Sequence, residues 1–266
     1  MFFISTMLAL FYFICSIFIN INWINDIACS FGYFLAIYLV TFVALVPGFN
    51  FVFMFISLLC DKCKKKACMK KEEDVTVLIP VYNSKDYIKE TVESIKKQKY
   101  CGDIYINIID DGSTDGSLEL LKEMNEDPNI TIIESSHIGK ASALNKGLQH
   151  VKTDYTITVD SDTVLHPLAI RNIMNKLVNS SRKTAATAGC LFVKNAKKSF
   201  ITKLQEWDYS LGIFGVKLIQ SNYNSTLVAQ GAFSAYKTKM LKEIGGWQNC
   251  VGEDIVLTWE LLSKRL

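Results

Sequence analysis

Two different patterns of apolar and polar positions divide the chain. Residues 1–60 carry one charged side chain, Asp26, within a dense load of Phe, Ile, Leu and Val. "MFFISTMLALFYFICSIFIN" (1–20) is long enough to cross a bilayer as a helix. After a more polar break, "INWINDIACS" (21–30), comes "FGYFLAIYLVTFVALVPGFNFVFMFISLL" (31–59). As one helix that run measures roughly 40 Å or more, with a kink expected at Pro47-Gly48. A buried pair of core helices is the alternative, and the uncharged length argues against it. No Lys or Arg precedes the first run and a second run follows, which argues against a cleaved signal peptide.

From Val75 onward, strand-like and helix-like segments alternate. "VTVLIPV" (75–81), "IYINIID" (104–110), "ITIIE" (130–134) and "YTITVD" (155–160) read as strands. Helices are predicted over 84–98, 115–124, 139–151 and 167–178, with Ser84 and Asp115 as N-caps of the first two. Further on, 184–193 and 227–236 read as extended, and 199–220 and 253–264 as helical. This alternation predicts an α/β domain with a largely parallel sheet and helices on both faces. Ligands of such sheets bind beyond the carboxyl ends of the strands. Three predicted strands deliver polar groups there: Pro80-Val81-Tyr82-Asn83, Asp110-Asp111-Gly112-Ser113 and Asp160-Ser161-Asp162.

Charge then sets a topology. "DKCKKKACMKK" (61–71) holds the densest run of lysines in the chain, directly after the second apolar run. The positive-inside rule puts that end in the cytoplasm. The expected organisation is two transmembrane helices (1–60), a basic juxtamembrane linker (61–73) and a cytoplasmic catalytic domain (74–266). The protein would be integral to a plasma or inner membrane, with the lipid bilayer as a partner. The net charge of +3, without a long basic helix, gives no sign of a nucleic-acid partner. Cys60, Cys63 and Cys68 cluster at the membrane edge but have no fourth zinc ligand nearby; plain thiols or S-acylation fit them better.

The acidic constellations carry the chemistry. Asp160 and Asp162 end a β-branched run, and side chains at i and i+2 of an extended segment point the same way. Two converging carboxylates need a cation, and oxygen ligands favour Mg²⁺ or Mn²⁺. Such an ion would neutralise charge on a leaving diphosphate. Asp111 reads either as a turn residue or as a carboxylate that binds a base or ribose. Glu253 and Asp254 read either as residues favoured by a helix dipole or, for Asp254, as a general base. Lys140, near a helix start, suits a phosphate. The three histidines make no metal spacing, and Trp207, Trp247 and Trp259 read as core residues, one of which could stack on a sugar. No glycine fingerprint follows the first strand and no P-loop occurs, which argues against a dinucleotide cofactor.

"VLIPVYNSKDYIKETVESI", "IIDDGSTDGS", "GKASALNKGL", "VDSDT", "QGAFSAYK" and "GEDIVLTWEL" occur in this order. The ordered set resembles family 2 glycosyltransferases, above all the membrane-bound synthases of poly-N-acetylglucosamine, hyaluronan, chitin and cellulose. The resemblance implies a GT-A fold, an inverting mechanism and a UDP-sugar donor, with a glycan or lipid-linked acceptor. It puts Pro80, Tyr82 and Asp111 around base and ribose, and Lys140 near the donor. Asp160 would touch the nucleotide and, with Asp162, hold the metal. Asp254 would be the base with Glu253 beside it, and Gln230 and Gly231 would border the acceptor. The resembled synthases continue into a Q-x-x-R-W helix, and no such motif occurs up to Leu266. Two expectations follow: a second polypeptide supplies that segment, or the chain is a silent remnant that binds nucleotide or acts as a membrane interaction partner. A nucleotidyltransferase is a weaker alternative, because its glycine- and lysine-rich first loop is absent after Val81.

Overall fold

The structure, a computed structural model, describes residues 2–59, 72–124, 127–181, 183–222 and 225–264. The lysine run at 62–71 and the Cys60/Cys63/Cys68 cluster lie outside them. In chain order the elements are α1 (Phe2–Ile19), α2 (Ile21–Phe31), α3 (Tyr33–Val40), α4 (Val46–Leu59), β1 (Val75–Val81), α5 (Lys85–Lys96), β2 (Ile104–Asp110) and α6 (Ser117–Glu123). They continue with β3 (Ile130–Glu134), α7 (Lys140–Gln149), β4 (Tyr155–Val159), α8 (Ala169–Val178), β5 (Ala186–Ala188), α9 (Phe200–Asp208), α10 (Val216–Asn222), β6 (Phe233–Lys237), α11 (Thr238–Ile244) and α12 (Glu253–Ser263).

Two compact units result, Met1–Lys64 with Lys194–Ser225, and Lys65–Val193 with Thr226–Leu266. The stretch 194–225, which the sequence places inside the 74–266 domain, thus clusters with the apolar helices. In this first unit Tyr33–Leu59 runs as one apolar helix of 27 residues, long enough to cross a bilayer. Its irregularity is not a kink at Pro47-Gly48 but a π-helical stretch, Thr41–Leu45, just before that proline. A wider turn there accommodates a residue that has no N–H to donate. The segment 21–30 is helical rather than a break: Phe3–Ile19 and Ile21–Phe31 meet at a bend of 52° and reach spanning length only together. α1 packs on α4, with Phe13 edge-on to Phe49 at 6.0 Å between ring centres.

The second unit is built on a six-stranded sheet in the order β3-β2-β1-β4-β6-β5. β1 to β4 run parallel, while β6 is antiparallel to both β4 and β5. Strand periodicity assigns the two faces. Val75, Val77, Ile79, Ile106, Ile108, Ile157 and Val159 pack against the apolar stripes of α5 and α8. Leu78, Ile109 and Ile133 pack with α7, α11 and α12 on the opposite face. The extended segments expected at 184–193 and 227–236 shrink to β5 and β6, and α11 goes unread in the sequence. β1 has β2 on one side and β4 on the other, so the strand order reverses between β1 and β4. A crevice opens beyond the strand ends at such a reversal.

Asn145, on α7, fixes the approach to α12. Its Nδ2 donates to the Trp247 carbonyl (2.7 Å) and its Oδ1 accepts from the Trp247 N–H (2.8 Å). Trp247 is buried, edge-on to the fully buried Tyr236. Replacing Asn145 by Ala removes both bonds and leaves two backbone groups unpaired, at a cost of about 2–4 kcal/mol. A lower unfolding midpoint in detergent is the expected readout.

Candidate active site

All four parallel strands end at one cleft. A cavity of about 340 Å³ is lined by Pro80, Val81 and Tyr82 after β1, Asp111 after β2, His137, Gly139 and Lys140 after β3, and Asp160, Ser161 and Asp162 after β4. The size suits a small-molecule ligand.

Asp111 is buried at the floor and tied to the loop after β3. Its Oδ1 accepts the Ile138 N–H at 2.7 Å and its Oδ2 the Gly139 N–H at 2.9 Å. Its own N–H donates to the Val81 carbonyl. This interlock needs Gly112, whose φ is +75° and where a Cβ would come within 3.1 Å of the His137 nitrogen. His137 itself takes φ 47°, an uncommon conformation for a non-glycine residue. Its Nδ1 lies 3.1 Å from the Asp111 carbonyl oxygen, which can only accept, so the ring donates there. The imidazole stacks on Tyr82 with 4.3 Å between ring centres. Asn83 is the other described non-glycine residue with positive φ, and its Oδ1 accepts the Thr114 N–H. Strained backbone of this kind concentrates at functional sites.

Asp160 and Asp162 do not lie on an extended segment. β4 ends at Val159, and Thr163 N–H donates to the Asp160 carbonyl, closing a turn. Both carboxylates still line the cavity. Hydroxyls hold the turn: Ser161 Oγ pairs with Ser84 Oγ (2.8 Å), and the Ser161 carbonyl accepts from Thr91 Oγ (2.9 Å). Ser84 therefore occupies the N-cap position of α5 without a side-chain cap. Asp115 likewise does not cap α6 from the N-cap position, which Gly116 fills. It bridges instead, accepting from Ser117 N–H and Oγ and from Lys85 N–H. The Ser117 hydroxyl is the main reason its carboxyl sits below the ordinary range.

Lys140 reaches from the first residue of α7 to Asp160 Oδ1 at 2.6 Å, with Glu253 Oε1 at 3.7 Å. Burial pushes its ammonium down, but Asp160, Glu253 and Asp254 outweigh that and hold it above the usual lysine range. On the far side, Asp254 opens α12, its Oδ2 accepting the Gly231 N–H (3.3 Å) and its Oδ1 the Ile255 N–H (2.9 Å). Thr258 Oγ ties the same loop to the helix, accepting from Ala229 N–H and donating to the Asp254 carbonyl. Gln230 Oε1 is buried without a hydrogen-bond partner among the described residues. Gly231 leaves room for Lys140, whose Nζ would stand 3.2 Å from a Cβ there.

Pro80, Tyr82, Asp111, Lys140, Asp160 and Asp162 line the cleft, Glu253 meets it through Lys140, Gly231 lies beside Lys140 with Asp254 behind it, and Gln230 precedes Gly231 in the chain. His137, read in the sequence as an ordinary histidine, lines the cleft as well, brought there by a left-handed turn two residues before Gly139. Of Trp207, Trp247 and Trp259, Trp247 is core, while Trp207 and Trp259 are exposed. Among the described residues no three His, Cys, Asp or Glu side chains converge as a complete metal site. What the cleft offers a cation is Asp160 and Asp162, hard oxygen donors fit for Mg²⁺ or Mn²⁺ when ligand oxygens complete the shell. Lys140 already marks this place as one that accepts positive charge.

The sheet and its acidic cleft define a GT-A-like glycosyltransferase fold. It is shared with a mannosyltransferase of Pyrobaculum calidifontis solved with GDP-Man and Mn²⁺ (TM-score 0.64, 21% identity, covering 79% of this chain and 59% of that one). It is shared also with glucosyl-3-phosphoglycerate synthase of Mycobacterium tuberculosis solved with UDP (TM-score 0.51, 16% identity, covering 72% and 66%). Residues 76–245 match the profile of Glycosyl transferase family 2, and the chain belongs to that family. Poly-beta-1,6-N-acetyl-D-glucosamine synthase of Staphylococcus aureus (strain MSSA476) is 29% identical over 191 residues, 71% of this chain and 46% of the synthase. The Staphylococcus epidermidis enzyme is 28% identical over the same length. The chain spans about half the length of these curated relatives.

Replacing Asp111 by Asn exchanges one accepting oxygen for an NH₂ group that faces a backbone donor. Faster hydrogen–deuterium exchange in the peptide containing Ile138 and Gly139 is expected, with little change in peptides from β1.

Proposed function

We propose that the chain is a membrane-anchored, inverting glycosyltransferase that moves a hexose, GlcNAc first among candidates, from a UDP-sugar to a glycan or lipid-linked acceptor. The observation that carries this reading is the gathering of Tyr82, Asp111, Lys140, Asp160 and Asp162 around one cleft, joined through Gly231 to the acidic start of α12. The resemblance to poly-N-acetylglucosamine synthases and the nucleotides bound by the solved relatives support the donor.

In this reading the base stacks at Tyr82 and His137 and accepts order from Asp111, whose oxygens each keep a lone pair beyond the backbone bonds. Lys140 turns to the diphosphate. Asp160 and Asp162 would hold a divalent cation, Mg²⁺ or Mn²⁺, whose charge would offset that of the departing diphosphate. An acceptor hydroxyl, positioned beside Gln230 and Gly231, attacks the anomeric carbon from the face opposite the leaving group. Its new C–O bond forms as the bond to UDP breaks, and its proton passes to the Asp254 carboxylate. Glu253 pairs with Lys140 and keeps that lysine inside the cleft. Much of the acceleration then comes from holding acceptor and donor in line.

The apolar helix Tyr33–Leu59 and the bent pair α1–α2 serve as the membrane hairpin, with the lysines of 62–71 holding the catalytic domain in the cytoplasm.

The test is a donor screen on the full chain in detergent, with UDP-GlcNAc, UDP-glucose and GDP-mannose, each with Mn²⁺ and an oligosaccharide acceptor. Release of UDP from UDP-GlcNAc is expected. Asp254→Asn should slow transfer by about 10²–10⁴-fold and leave UDP affinity nearly unchanged. Normal transfer by that variant would remove Asp254 as the base. Asp162→Ala should abolish the Mn²⁺-dependent part of UDP binding, and UDP binding by the parent chain without turnover of any donor would favour a nucleotide-binding remnant.

A further inference from the structure

The cleft holds a cation of its own, kept there by carboxylates from distant segments and not by its own helix. Lys140 is the first residue of α7, where a positive charge opposes the helix dipole. Its ammonium nevertheless lies 2.6 Å from Asp160 Oδ1 and 3.7 Å from Glu253 Oε1. A Cβ at position 231 would stand 3.2 Å from this ammonium and press on it. The carboxylates therefore hold it, and it holds them. An ammonium and a divalent ion that both sit on Asp160 repel one another, so each weakens the other's hold on that carboxylate.

We propose that Lys140 is an internal counter-cation that keeps divalent metal out of the cleft until a nucleoside diphosphate arrives. The inference rests on the reading of Asp160 and Asp162 as the cation-binding pair. A diphosphate brings enough negative charge to satisfy both cations: the lysine swings on its flexible stem to the phosphate oxygens, and Asp160 is released to the metal. Metal and nucleotide then bind with reciprocal coupling, each raising the affinity for the other by the same factor. Lys140 would thus set the order of binding, beyond merely contacting the donor.

Electron paramagnetic resonance of free and bound Mn²⁺ tests this on the full chain in detergent, with UDP as the nucleotide. The parent chain should take up Mn²⁺ poorly alone and well with UDP. Lys140→Met should bind Mn²⁺ without UDP about tenfold or more tightly than the parent, and gain much less on adding UDP. Lys140→Arg, which keeps the charge, should bind Mn²⁺ alone as poorly as the parent. Uptake with UDP by the parent but no gain in Lys140→Met overturns this inference alone. A parent chain that takes up no Mn²⁺ even with UDP overturns the donor reading and this inference together.

Discussion

Everything at the sheet's carboxyl edge depends on how negative charge is kept from flying apart. Asp160, Asp162, Glu253 and Asp254 come from segments almost a hundred residues apart, and the fold brings them to one rim. Such a set is costly unless its carboxylates find donors or cations. Backbone N–H groups serve Asp254, as they serve the buried Asp111 across the cleft, while Lys140 serves Asp160 and Glu253. The helix α7 has a double task in this. Its first residue supplies the cation, and its Asn145 locks the segment that leads into α12. One rigid element therefore sets the spacing between the strand-end loops of the cleft and its acidic far wall.

Rigidity and strain divide along the same line. The sheet is filled by Val, Ile and Leu on both faces, in the alternation that a pleated strand demands. Its loops depart from ordinary backbone at Asn83 and His137, both at the cleft. The cost is borne by the interlock of Asp111 with Ile138 and Gly139 and by hydroxyl pairs such as Ser84 with Ser161. Polar side chains that the local sequence would spend on helix caps are spent here on joining one loop to the next.

The four parallel strands and their helices were legible in the sequence because each has a strong apolar period and a polar end. Asp111, Asp160 and Asp162 were legible for the same reason, since they stand where a β run stops. The geometry behind them was less so. Asp160 and Asp162 share the cleft through a turn closed by Thr163, not through the i, i+2 rule of an extended chain. His137 gave no metal spacing, and its role comes from a left-handed turn that no periodicity encodes. α2 was hidden because Asn20, Asn22 and Asn25 break the apolar run without breaking the helix. The short β5 and β6 were overread because pairing with a single neighbour or filling a gap in a sheet, rather than composition, decides where they end. The family assignment came from the order of several motifs, and its confirmation over 76–245 needed a comparison that no single motif could replace.

β6 lies between β4 and β5 in space but follows both in the chain, after an excursion of some thirty residues through the apolar unit. As the polypeptide emerges during synthesis, the edge formed by β1 to β4 is complete once residue 162 has been made, whereas β5 waits without a neighbour until β6 slots in. Gln230, Gly231 and the acidic helix come after that insertion. Assembly of this cleft is therefore staggered in time, with the loops that end β1 to β4 finished well ahead of the acidic wall that closes the other side.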